Sequence, residues 1–189
     1  MVAGDKARET KEIGEFVSNL ALERDVTAEQ YRLALKAAIK DRAIIYYCIW
    51  KKLQQLYPEV DATKVLREAS WDFGLAKGKE MAKRLGGTDK GPKEVLKGHT
   101  AKGGMLVFNI EITELNDNRA VKIIKECPHL EAFKELGATP DELKILCRDM
   151  MCSGDYGTFA PFPNVQLEWP STLTDDDSKG CALTLVRKS

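Results

Sequence analysis

The chain has no net charge: 29 Lys and Arg balance 29 Asp and Glu. A chain without excess basicity lacks the electrostatic footprint that nucleic acid or an anionic membrane surface selects, so neither is expected as a partner. Long apolar runs are missing too. The longest, Ala43 to Trp50, is about eight residues, against the ~20 that span a bilayer. Met1 to Lys6 passes into charged sequence, with no apolar core for a secretory signal. A cytoplasmic location is the expectation. The five cysteines are odd in number and include no Cys-x-x-Cys pair, which favours reduced thiols over a disulfide framework. Lys97 to Gly104 is rich in lysine and glycine but lacks the order of a phosphate-binding P-loop and follows no strand, which excludes that motif. No internal repeat is present.

What is there reads as one core with an extension. Residues 1–24 form an N-terminal arm or short helix, and residues 25–189 a single domain. Thr27 and Gln30 make a capping box. Uninterrupted helical periodicity then predicts one long helix, stopped by Pro58. Its middle, Ala43 to Trp50, is apolar nearly all round and is expected to be covered on more than one side. Asp61 starts a second helix that closes at Gly86-Gly87. Gly74 and Gly78 lie on one face of it, which predicts close packing against another element or, alternatively, a pocket wall. Residues 86–104 read as a loop with one helical turn, and His99 as a residue of that loop.

The period then changes to two. Met105 to Leu115 and Arg119 to Cys127 predict strands around an Asn116-Asp117-Asn118 turn. Pro128 to Leu136 is a short helix. Thr139-Pro140-Asp141-Glu142 caps another that runs to about Cys152 and breaks at Ser153 to Gly157. Val165 to Trp169 and Cys181 to Arg187 alternate as strands. The fold class is therefore α+β, with N-terminal helices packed on a mainly antiparallel sheet of about four strands.

Four cysteines and one of the two histidines fall in the C-terminal third: Cys127, His129, Cys147, Cys152 and Cys181. An antiparallel sheet can set the strand carrying Cys181 beside the one ending at Cys127. Three readings are open. Buried cysteines are ordinary small hydrophobes, and on residues alone this ranks first, with Cys48 and Cys152 as plain core residues. Second is a hydrolytic site in which Cys147 is nucleophile or water-positioning thiol, His129 acid/base and Asp149 orienter or proton acceptor. Third is zinc held by Cys127, His129, Cys147 and Cys181. Otherwise no cofactor is expected. Arg42 and Tyr46, four apart on the long helix, could hold a substrate carboxylate. An enzyme site built this way would lie where the end of the 140–152 helix meets the sheet, roofed by Arg42 to Trp50.

With these residues in place, the chain resembles the L-2-amino-thiazoline-4-carboxylic acid hydrolase-like family. The similarity runs from about Arg42 to Lys188. It rests on Arg42 to Tyr47, Trp71 to Gly78, Glu126-Cys127-Pro128, Leu146-Cys147-Arg148-Asp149 and Gly180-Cys181. The resemblance implies a hydrolase acting on a non-peptide C–N or C=N bond, opening a thiazoline ring to an N-carbamoyl cysteine. A small-molecule substrate follows, and a homo-oligomer is compatible. The C-terminal pattern also resembles 4-vinyl reductase-type domains, which implies a non-catalytic small-ligand or zinc-binding module as the alternative. The ending here, Ser178-Lys179-Gly180-Cys181, departs from the Gly-Asp-x-x-Cys usual there.

Overall fold

The computed structural model describes residues 26–100 and 102–188; the arm expected over 1–24 lies outside them. Residues from Arg32 onward form one compact unit. Helix α1 (Ala28–Leu56) starts where the capping box places it. Gln30 N–H donates to Thr27 Oγ1, and Thr27 N–H donates to Gln30 Oε1. Helix α2 (Ala62–Leu85) is capped by Asp61, whose carboxylate accepts from Lys64 N–H, and ends at Gly86 in the left-handed conformation at φ 73°. Trp50 Nε1 donates to Thr63 Oγ1 and Tyr46 Oη to the Leu66 carbonyl, locking the α1–α2 hairpin.

Two short helices follow, α3 (Pro92–His99) and α4 (Lys102–Phe108), then strands β1 (Ile110–Leu115) and β2 (Arg119–Ile124). After them come α5 (Pro128–Glu135), α6 (Pro140–Lys144), a π-helix (Ile145–Met151), α7 (Cys152–Phe159), β3 (Val165–Glu168) and β4 (Cys181–Arg187). The sheet has order β1-β2-β4-β3 and every neighbouring pair is antiparallel. The fold is α+β. No helix among the described residues is long and apolar enough to cross a membrane.

Four expectations are corrected. Met105 to Phe108 belong to α4 rather than to a strand; Asn109, at φ 47°, separates the helix from β1. Ser153 to Gly157 do not break the helix but lie within α7. Their glycines are what let α7 touch α2: a Cβ on Gly74 would sit 1.8 Å from the Gly154 carbonyl oxygen, one on Gly78 2.3 Å from that of Thr158, and one on Gly157 2.2 Å from that of Trp71. Backbone contact along this seam outweighs the poor helix propensity of glycine. The close-packing reading of Gly74 and Gly78 is thus the one realised. The middle of α1 is covered on one side only, since Ala43, Tyr47 and Trp50 are buried while Ile45, Cys48 and Ile49 are exposed. Cys48 is therefore a surface thiol, whereas Cys152 is buried as expected.

The core has two clusters. One joins α1, α5, α6 and the π-helix through Tyr47, Trp50, Phe133, Leu146 and Met150, with Cys127 and Cys147 packed on its edge. The other joins α2, α3 and α7 to the sheet through Met81, Leu96, Phe159, Leu183 and Leu185.

Candidate active site

The register of β2 determines what the sheet offers the helices. Ala120 faces the second core cluster, and alternation puts Lys122 and Ile124 on the same side. Their partners across the ladder are Leu185, Leu183 and Cys181. Lys122 is thereby a lysine on a core-facing position, 3% exposed. A buried ammonium must be hydrogen-bonded. It is: Lys122 Nζ lies 2.7 Å from Nδ1 of His99, the last residue of α3. The other ring nitrogen, Nε2, lies 3.6 Å from Oδ1 of Asp155 on α7. The α2–α7 seam aims Asp155 here, and the ring of Phe159, one turn further on, packs on His99 at 4.9 Å between centroids.

Burial pushes the Asp155 carboxyl up to about 6, against the pull of Lys122 and Lys77. Burial lowers Lys122 to about 8, with Asp155 opposing. Burial, then the Lys122 and Lys77 charges, hold His99 well below its ordinary value. Yet His99 keeps 22% of its side-chain surface and Asp155 32%. Each side chain is thus crowded by protein and still reachable by water.

A second array adjoins the first. His129 opens α5, which starts with Pro128 just after β2. Its Nε2 is 2.8 Å from Arg42 Nη2, and its Nδ1 is 3.8 Å from Cys127 Sγ. Guanidinium can only donate, so Nε2 is the acceptor and the proton sits on Nδ1, toward the thiol. Burial, reinforced by the Arg42 charge, lowers His129 to about 3; the imidazole is neutral and both nitrogens are engaged. Burial raises the thiols of Cys127, Cys147 and Cys181 above their ordinary value, Cys181 to about 11. The two arrays meet at Phe73 of α2, whose ring centroid is 5.6 Å from Arg42 Cζ and 5.1 Å from Lys77 Nζ.

A family model described as L-2-amino-thiazoline-4-carboxylic acid hydrolase matches residues 36–180, more than half of the chain. The chain belongs to this family. No curated protein and no solved structure matches it. The stretch shared with the hydrolase family spans Arg42, Phe73, Lys77, His99, Lys122, Cys127, His129, Cys147 and Asp155, and stops one residue before Cys181.

Of the residues singled out from the sequence, the structure joins Arg42, His129 and Cys127. Cys181 pairs across the ladder with Ile124, and its sulfur accepts from Leu173 N–H at 3.2 Å. Cys147 packs on the first core cluster. Asp149 is exposed; the π-helix, in which Cys152 N–H reaches back five residues to the Cys147 carbonyl, does not bring it to the imidazole. Tyr46 spends its hydroxyl on the Leu66 carbonyl. Among the described residues, no three His, Cys, Asp or Glu side chains are placed to hold a metal ion.

Sequence reasoning missed Lys122, Asp155, Lys77 and Phe73, and took His99 for a loop residue. The signal for Lys122 was present: a single charge amid Ala120-Val121-Lys122-Ile123-Ile124 on an apolar strand. Asp155, flanked by glycines one and two residues away, read as part of a turn.

Proposed function

We propose that the protein hydrolyses a small cyclic amidine acid of the 2-amino-thiazoline-4-carboxylate type, using Asp155, His99 and Lys122 as its acid–base apparatus. The observation that carries this reading is the Lys122–His99–Asp155 array, which sets a carboxylate with a raised pKa and a lysine with a lowered one on opposite sides of an imidazole, beside water-reachable space. Groups whose environments push their pKa values toward neutrality are what proton transfer at pH 7 requires.

Opening to an N-carbamoyl cysteine adds one water and breaks one ring bond. Ionised Asp155 takes a proton from water as the oxygen bonds to C2 of the ring. The C2=N electron pair moves to the ring nitrogen, which takes the Nε2 proton of His99 while Lys122 refills Nδ1. The tetrahedral adduct then returns its hydroxyl proton through His99 to Lys122 as the C=O forms and C2–S breaks. Sulfur leaves as thiolate and takes the proton from Asp155. The carboxylate and ammonium are restored, and water's atoms are all in the product. Arg42, held by His129, anchors the substrate carboxylate. Cys127, Cys147 and Cys181, whose thiols burial holds above their ordinary value, do not attack.

The test is turnover of 2-amino-thiazoline-4-carboxylate by the wild type and Asp155→Asn. General-base catalysis contributes about 10²–10⁴-fold, so kcat should fall by at least about a hundredfold while the melting temperature holds. Full activity in Asp155→Asn would remove this mechanism.

A further inference from the structure

Lysines and arginines on the outer helices of this fold mostly find carboxylates. Lys36 pairs with Glu131, Lys40 with Glu135, Lys51 with Glu142 and Arg148 with Asp175. Arg42 and Lys77 do not. Among the described residues neither has a carboxylate within ion-pair reach, although each stands near the other around one ring. That ring, Phe73, is 48% exposed, an uncommon state for a phenylalanine unless its face is a contact surface. Lys77 feels Arg42 strongly enough that, after burial, the guanidinium is the main influence lowering its pKa. Two like charges held around an aromatic face, with Arg42 fixed from behind by the His129 imidazole at 2.8 Å, leave a place whose electrostatics call for an anion. Aromatic faces favour offset stacking with flat rings, and paired cationic donors favour a carboxylate.

We propose that Arg42, Lys77 and Phe73 form the seat of a planar heterocyclic carboxylate, its ring against Phe73 and its carboxylate between the guanidinium and the ammonium. This rests on the hydrolase reading only in naming the ring class. It adds Lys77 and Phe73 as specificity-determining residues. It also makes His129 a positioning residue, whose Nδ1–H tautomer fixes the Arg42 fork. Asp155 lies within the electrostatic reach of Lys77, so a ring seated there would lie in the neighbourhood of the Asp155–His99 pair.

The experiment uses the full chain and thiazole-4-carboxylate, a flat aromatic acid that the proposed chemistry does not open, with its primary amide as the uncharged control. Calorimetry should show the acid binding at least about tenfold more tightly than the amide, since losing a charged partner costs a hydrogen bond to an ionised group. Lys77→Met should weaken the acid by at least about tenfold and leave the amide almost unchanged, while Phe73→Leu should weaken both by about two- to tenfold through lost ring stacking. Both side chains are exposed, so folding is not at stake, and circular dichroism checks it. Equal binding of acid and amide, or binding of the acid unaltered by Lys77→Met, would overturn the seat even if the enzyme turns over amino-thiazoline carboxylate. Binding that depends on Lys77 without any turnover would keep the seat and remove the hydrolase reading. For the positioning role, His129→Asn should raise KM with kcat and the pH profile retained, whereas an acid–base histidine would cost kcat and erase a pH limb.

Discussion

The chain's two histidines are both neutral, but their neighbours give them different work. His129 has Arg42 on one nitrogen and Cys127 on the other, which leaves no free lone pair for base catalysis. His99 stands between an ammonium and a carboxylate that itself titrates near neutrality. The pH profile of kcat/KM should accordingly be a bell. Activity rises through about pH 6, where Asp155 ionises, and falls above about pH 8, where Lys122 loses its proton. Asp155→Asn should abolish the acid limb, and initial rates from pH 4.5 to 9.5 (about five decades of proton activity) read it directly. Stability carries the mark of His129. Its folded pKa, about 3, is depressed below the unfolded value of about 6.5. The unfolded chain therefore binds a proton first as pH falls, and stability is lost between those values at up to about 1.4 kcal/mol per pH unit. Asp155, with its raised folded pKa, acts in the opposite sense between about 6 and about 3.9. Denaturant titrations of wild type and His129→Asn share that contribution, so the variant should show the shallower loss of stability on acidification. Cys147→Ala should keep activity within about tenfold, because burial, outweighing the pull of Lys134, raises this thiol, and a protonated thiol is no nucleophile.

At the scale of elements, the α2–α7 seam is the device that builds the site. Gly74 and Gly78 on α2 lie against the Gly154 and Thr158 carbonyls of α7, and Gly157 on α7 against that of Trp71, with no room for a methyl group; Asp155 and Lys77 are neighbours of these seam residues in sequence. The sign of a glycine-to-alanine change tests this. By helix propensity alone Gly74→Ala should stabilise by up to about 1 kcal/mol. Because its Cβ would lie 1.8 Å from a carbonyl oxygen, the helices must separate, at a cost of about 3 kcal/mol or more. Gly104→Ala on α4, where a Cβ meets nothing within 4 Å, should show the propensity gain instead. Urea midpoints compare the two. The glycine spacing and the caps at Thr27, Asp61 and Thr139 were legible in the sequence because they act within a turn or two of helix. Helical Met105 to Phe108 and the helical Ser153 to Gly157 were not. Their local preferences point to strand and turn, and contacts with distant segments override them.

Over the whole molecule, charge that sums to zero is unevenly placed. Lys77 and Lys122 act on one carboxylate, Asp155, and Arg42 acts on Lys77, so the surroundings of the site are cationic within a neutral chain. Arg42 and Lys77 are exposed, and their attraction for an anionic substrate is open to screening. Raising salt from about 0.05 to about 0.5 M shortens the Debye length from about 14 to about 4 Å. KM should rise several-fold while kcat, set by the sheltered Lys122–His99–Asp155 array, changes little. Steady-state kinetics at the two salt levels check it.

The sequence by itself determined the α+β class, the order of most elements, the hairpin at Asn116 to Asn118 and the family, because hydrophobic period, caps and turn residues are local properties of the chain. It also set the strand that begins at Cys181 beside the second hairpin strand, although that strand ends at Ile124 and Cys127 caps the helix after it. Which polar groups come together was decided only by tertiary structure. Phe73, Lys77, His99, Lys122 and Asp155 come from α2, α3, β2 and α7, far apart in sequence. Their juxtaposition depends on the strand register that turns Lys122 inward and on a glycine seam that brings two helices into backbone contact. Cys127 and Cys147, which look like chemistry in the sequence, are packed on a core cluster, where burial disfavours the thiolate a nucleophile needs. The single lysine in an apolar strand became the informative residue, since a buried ammonium has to be met by something.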